Sequence, residues 1–135
     1  MPVALDDLVA AMDELLEPGR FRDYCPNGLQ VGGRETVARL ACAVTANQSV
    51  LDDAVAWGAD ALLVHHGYFW RGEDPRVVGM KQRRLATLLG NGLSLIAYHL
   101  PLDAHPAVGN NAELGRRLAM VDVEPLHRDP GEGVG

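Results

Sequence analysis

Only two cysteines occur in the 135 residues, Cys25 and Cys42, which is too few for a disulfide framework. Cys42 also lies inside an apolar run, and both thiols are expected to stay reduced. No apolar stretch approaches the roughly 18 residues that a membrane span requires. Runs such as Ala61 to Val64 and Leu93 to Tyr98 are soon broken by polar residues. Basic residues are outnumbered, 12 Lys and Arg against 18 Asp and Glu, and the net charge of -6 opposes broad binding to phosphate backbones. The densest basic cluster, Lys81, Arg83 and Arg84, reads as a solvated helix face. Met1 to Asp7 has no basic region of the kind a secretory signal carries, so a cytoplasmic location is expected. There is no phosphate-cradling P-loop and no Ser in a nucleophile-elbow context, which leaves covalent catalysis with little support.

What is present reads as an ordinary folded chain, with 47% hydrophobic and 22% charged residues. Leu5, Leu8, Val9, Met12, Leu15 and Leu16 recur at helical spacing opposite Asp6, Asp7, Asp13 and Glu14, and Pro18-Gly19 stops that helix. Arg39 to Val44 predicts a strand, followed by Thr45, Asn47 and Ser49 as candidate caps of a helix running to Trp57. Gly58 ends it, and Asp60 to Val64 predicts a second buried strand that delivers His65 and His66 at its carboxyl end. The pattern repeats with a helix around Met80 to Leu89, a strand from Leu93 to Tyr98 and a helix over Asn111 to Leu118. Alternation of this kind predicts an α/β fold, a layered and mostly parallel sheet flanked by helices, with ligands at the carboxyl ends of the strands. One α/β domain is expected over residues 1–127, with a Pro/Gly-rich disordered tail over 128–135.

Two constellations carry chemistry. His65-His66 ends a strand and is followed by Gly67, which lets the backbone turn sharply. Adjacent strand residues point to opposite faces, so both imidazoles can enter one cleft only where the strand is ending. His99-Leu100-Pro101-Leu102-Asp103 again follows a strand and lets an imidazole and a carboxylate converge after a turn at Pro101. Four such groups from neighbouring loops fit a metal centre better than a packing device, and imidazole with carboxylate suits zinc, iron, manganese, nickel or cobalt. His105 and His127 fit no such pattern and read as surface residues. Asn27-Gly28 reads as turn chemistry, and Asn110-Asn111 as a helix cap.

The segments Asp23 to Val31, Gly58-Ala59-Asp60 with His65 to Trp70, Tyr98 to Pro106 and Gly109-Asn110-Asn111 together resemble a known family. These are the Nif-three-like proteins, known as GTP cyclohydrolase type 2 homologues, and the likeness is close to the bacterial YbgI-type members. The likeness spans Leu5 to Leu126. It implies two divalent metal ions per site, with His65, His66 and Asp103 as ligands and His99 in or beside them. It also implies a homo-oligomeric ring, a hexamer with the sites facing its interior. The family's remaining ligands form a His-x-x-x-Glu pair in a second half, and no His here is followed by Glu at that spacing. The expectation is therefore the amino-terminal half of the family's fold, a fragment or truncated product, with an incomplete site.

Two functions follow as expectations. One is a metal-dependent hydrolase acting on a nucleotide or related small molecule, inactive here if the missing ligands are essential. The other is a non-catalytic metal-binding ring scaffold. Membrane partners are not expected, and nucleic acid is disfavoured by the acidic balance.

Overall fold

The computed structural model describes residues 1–124. In chain order it contains β1 (Val3–Ala4), α1 (Leu5–Leu16), a 3-10 turn at Pro18–Arg20, β2 (Gly28–Val31), β3 (Thr36–Val37) and β4 (Leu40–Thr45). There follow α2 (Gln48–Trp57), β5 (Ala61–His66), α3 (Gly79–Asn91), β6 (Ser94–Ala97), α4 (Leu100–Ala104) and α5 (Asn110–Arg117). The expected disordered tail and His127 lie outside the described residues.

The main sheet runs β2-β6-β5-β4. β4, β5 and β6 are parallel, each joined to the next through a helix, as right-handed crossovers require. β2 adds itself antiparallel to β6, with a register irregularity between Leu29 and Val31. The mostly parallel α/β expectation holds, and the antiparallel edge strand is the addition. It escaped the sequence because Asn27-Gly28 has the composition of a turn, while the run behind it is only four residues long. Gly28 does sit at φ 97°, a left-handed conformation that favours glycine.

Period-2 alternation sorts the strands between two cores. Leu62 and Val64 of β5 and Leu95 and Ala97 of β6 face α2 and α3, packing with Leu51, Ala54, Leu85 and Leu88. Ala61 of β5, with Ile96 and Tyr98 from β6 and its end, faces α1, packing with Leu5, Leu16, Leu8 and Met12. All four residues of β6 are buried, so it is the centre of the layered structure. Helix boundaries follow local chemistry. Asn47 accepts from the Val50 amide at the start of α2, and Gly58 ends that helix at φ 77°. Thr45, an alternative candidate cap, turns its hydroxyl to His66 instead.

The basic cluster on α3 is only partly solvated. Arg83 is exposed, but Lys81 is half-buried, pairs with Glu73 at 2.6 Å and lies 5.3 Å from the Phe69 ring. Arg84 is half-buried over Tyr68. The reason is the segment over residues 67–73, whose Tyr68, Phe69 and Glu73 side chains meet these two cations.

Asp60, just before β5, is the buried carboxylate that ties the sheet's amino-terminal edge together. It accepts from the Ala38 amide at 2.9 Å, the Arg39 amide at 3.0 Å and Arg34 Nη1 at 2.7 Å. These backbone amides hold its carboxyl below the ordinary carboxylate range, with burial opposing and Arg34 reinforcing the shift. A depressed folded-state pKa gives stability that is present above the unfolded value of about 3.9 and is lost as pH falls through the folded value. Thermal unfolding from pH 5 to pH 2 should therefore show an acid-side fall in Tm that is shallower in Asp60→Asn. Identical acid limbs would remove Asp60 from that role.

Candidate metal centre

The carboxyl ends of β5 and β6 lie side by side, with Val64 opposite Ala97, so their following residues emerge into the same region. His65 and His66 are the last two residues of β5, where the alternation of side chains is breaking up. Their ring centroids are 4.4 Å apart, and the His99 ring lies 4.9 Å from His65 and 5.6 Å from His66. The three imidazoles each offer a ring nitrogen within 4.8 Å of the other two. Asp103 stands at the rim of this group, its Oδ1 3.5 Å from His65 Nε2. All four sequence-predicted residues are thus brought together at the carboxyl edge of the parallel sheet.

Each imidazole is oriented through Nδ1. His65 Nδ1 donates to the Tyr98 carbonyl at 3.1 Å, an acceptor that fixes the proton on that nitrogen. His99 Nδ1 lies 2.7 Å from Asp23 Oδ1, and His66 Nδ1 lies 3.2 Å from Thr45 Oγ1, its cross-strand neighbour. With Nδ1 engaged on all three rings, Nε2 is the nitrogen left to ligate, an arrangement typical of metal-binding histidines. Burial, reinforced by the neighbouring His65 and His99, pulls His66 below the ordinary histidine range, with Asp103 partly opposing. That favours the neutral form a ligand needs.

Asp23 was not among the predicted site residues, yet it organises His99. Its side chain is 3% exposed, and four donors converge on it. Oδ1 receives His99 Nδ1 at 2.7 Å and the Tyr24 amide at 2.6 Å. Oδ2 receives the Leu100 amide at 2.9 Å and Asn27 Nδ2 at 3.0 Å. Burial raises its pKa, but these hydrogen bonds outweigh burial and leave the carboxyl below its ordinary value. Asn27 is more than a turn residue, because its Oδ1 also accepts from the His99 amide at 2.7 Å. No spacing rule links Asp23 to a histidine 76 positions away, and only its place in the Asp23 to Val31 motif could have flagged it.

Asp103 is set by α4, which begins directly after His99. The Leu102 and Asp103 amides both donate to the His99 carbonyl, so the turn that places the imidazole also places the carboxylate. Asn110 corrects another expectation. It does not cap α5, whose N-cap is Gly109, but donates from Nδ2 to Asp103 Oδ1 at 2.9 Å. His105 stays apart from the cluster and accepts from the Ala107 and Val108 amides, stabilising the turn before α5.

Gly67 explains the sharp departure after His66. A Cβ there would press on the Gln30 side chain and come 2.8 Å from Ala97 Cβ. Gln30 needs that space because its Oε1 accepts from the Tyr68 amide and its Nε2 donates to the Tyr68 and Pro26 carbonyls. The loop so anchored carries Phe69 at φ 65° and sets Trp70 edge-on to His99, with centroids 5.0 Å apart.

A second group, Asp23, Cys25 and His99, also lies within ligand distance. It competes poorly. Asp23 is saturated, and burial, aided by the Asp23 charge, pushes the Cys25 thiol up to about 11, which leaves it protonated at neutral pH.

An α/β sheet with three Nδ1-anchored imidazoles and a carboxylate at its carboxyl edge defines a candidate metal-centre protein. The family model for Duf34/NIF3 (NGG1p interacting factor 3) matches residues 3–135, and the chain belongs to that family. It is 59% identical over 131 residues to the "GTP cyclohydrolase 1 type 2 homolog" of Pseudomonas aeruginosa, covering 97% of this chain and 51% of the relative. Against the protein of the same name from Escherichia coli K12 it is 53% identical, covering 89% and 50%. Among solved structures, protein ybgI matches with a TM-score of 0.90 at 48% identity, covering 95% of this chain and 51% of that one. TTHA1606 from Thermus thermophilus matches with a TM-score of 0.86 at 44% identity, covering 91% and 51%. The chain therefore spans about half the length of the relatives it matches.

Proposed function

We propose that His65, His66, His99 and Asp103 hold a divalent metal ion and that the chain serves a metal-dependent hydrolase acting on a nucleotide or related small molecule. The observation that carries this reading is the grouping of three imidazoles, each anchored through Nδ1 and each offering a ring nitrogen within 4.8 Å of the other two, beside a carboxylate. A bound ion supplies Lewis acidity, which polarises a substrate carbonyl or phosphoryl group and lowers the pKa of water. The protein's contribution is positional. Asp23 and the Tyr98 carbonyl hold His99 and His65, Asn110 steers Asp103, and Trp70 shields one side of the His99 ring. The nucleotide class is supported by the name of the relatives, GTP cyclohydrolase 1 type 2 homolog. Four donors suit one ion, so a second ion of the family's two-metal site would draw on other ligands. That donor count favours a second reading, a non-catalytic metal-binding scaffold.

Metal analysis after gentle dialysis against zinc, manganese, nickel or cobalt should return about one equivalent per chain, falling at acid pH as protons compete for the imidazoles. Two firmly held equivalents would overturn the count, and none would overturn the centre. Release of product from a nucleotide panel by the loaded protein separates the hydrolase from the scaffold.

Assembly into a homo-oligomeric ring belongs to the same proposal. The outer edge of β4 pairs with no strand among the described residues, and its Val44 is 69% exposed. Light scattering should give a mass above the monomer's, and a well-behaved monomer at high concentration would count against assembly.

A further inference from the structure

Beside the candidate centre lies a cavity of about 570 Å³ lined by Pro18, Gly19, Phe21, Arg22, Asp23, Cys25, Asn27 and Arg71. Its size falls within the range of about 300–1,000 Å³ usual for small-ligand sites. Two guanidinium-bearing residues line it, in a chain whose net charge is -6. Arg22 makes no hydrogen bond or ion pair among the described residues, although nearby Arg20 is paired with Glu17 at 2.6 Å. Arg71 is positioned but not neutralised. Its amide donates to the Tyr24 carbonyl at 2.6 Å, its Nη2 donates to the Asp23 carbonyl at 2.8 Å, and its guanidinium lies 5.9 Å from the Tyr24 ring. One of its five N–H groups is thus committed, and to an uncharged acceptor.

The carboxylate in the lining offsets one of these two charges but offers a ligand no free oxygen. Asp23 is 3% exposed, and both its oxygens are taken by His99, Tyr24, Leu100 and Asn27. The Cys25 thiol stays neutral, and the remaining side chains in the wall carry no charge. The lining therefore carries two arginines against one buried carboxylate, a net positive charge beside a space of small-molecule size. Guanidinium is the side chain suited to planar, bidentate recognition of phosphate oxygens.

We propose that this cavity is a binding site for a phosphate-bearing small molecule, whose anionic group lies between Arg22 and Arg71. The site adjoins the histidine cluster through Asp23, which faces His99, and stands whether or not the histidines hold a metal. The small volume of the cavity and the chain's net charge of -6 favour a small anion over a long phosphate backbone.

Calorimetric titration of the metal-free chain with inorganic pyrophosphate tests the site. Binding should be saturable, and about tenfold weaker in both Arg22→Gln and Arg71→Gln, with zinc affinity unchanged in each. Arg22→Gln removes a side chain with no internal hydrogen bond, so it remains informative if Arg71→Gln disturbs its loop. No binding to the parent chain, or equal affinity in parent and Arg22→Gln, overturns the proposal. Tighter binding of a single-stranded oligonucleotide than of pyrophosphate, at equal phosphate, overturns the small-molecule assignment. His65→Ala should keep its pyrophosphate affinity while losing zinc, which separates failure of this site from failure of the metal centre.

Discussion

Replacing His65 with alanine is expected to lower zinc affinity by at least about 100-fold while the fold remains intact. Partners outside the ligand set, when mutated, already cost about 10–100-fold in affinity, and removal of a ligand should reach or exceed the top of that range. His65 is held at both ring nitrogens. Its Nδ1 proton is fixed by the Tyr98 carbonyl, and its Nε2 stands 3.5 Å from Asp103 Oδ1. It also sits at the centre of the cluster, with His66 and His99 centroids 4.4 and 4.9 Å away. Its loss leaves two imidazoles and a carboxylate without its 3.5 Å ring partner. The position is half-buried at a strand end, so truncation removes little core volume. Competition against a chromophoric zinc chelator measures the effect, with circular dichroism as the control for folding. An affinity within about threefold of the parent would sink the assignment of His65 as a ligand.

Asp23→Ala should be the most damaging change in stability, at about 2–4 kcal/mol, because it orphans several buried donors at once. The Leu100 amide, Asn27 Nδ2 and His99 Nδ1 lose a part-buried acceptor whose own side chain is 3% exposed, and the more exposed Tyr24 amide loses its partner with them. The same change frees the His99 ring, so zinc affinity should also fall by about 10–100-fold. Asp23→Asn should lie between, since one amide oxygen can serve part of the set while its NH₂ faces other donors. Urea unfolding, read at constant slope, gives the stability, and the chelator competition gives the affinity. A loss under about 1 kcal/mol in Asp23→Ala would mean that the network is not what holds this loop.

Local pattern was enough to determine the layered architecture and the main donors. Helical spacing from Leu5 to Leu16 and the apolar runs ending at Val64 and Tyr98 are short-range signals, and they place His65, His66 and His99 at or just past strand ends, with Asp103 one turn further on in α4. What the donors need in order to act was set by tertiary structure. The hydrogen-bond partners of His65, His66 and His99 come from 33, 21 and 76 positions away, where no periodicity relates the partners. β2 is equally non-local. Its four residues form a strand only by pairing with the buried β6, and that pairing brings Asn27 against the His99 amide and Gln30 against the loop after Gly67. Asn110 reads as a cap in sequence because capping is a local event, but α5 packs beside α4 and turns that amide to Asp103 instead. The sequence by itself determined which groups can bind, through residue type and strand register. The tertiary structure decided how each ring is held, because hydrogen bonds between distant segments engage Nδ1 of all three and, through the Tyr98 carbonyl and the Asp23 carboxylate, select the tautomer of His65 and His99.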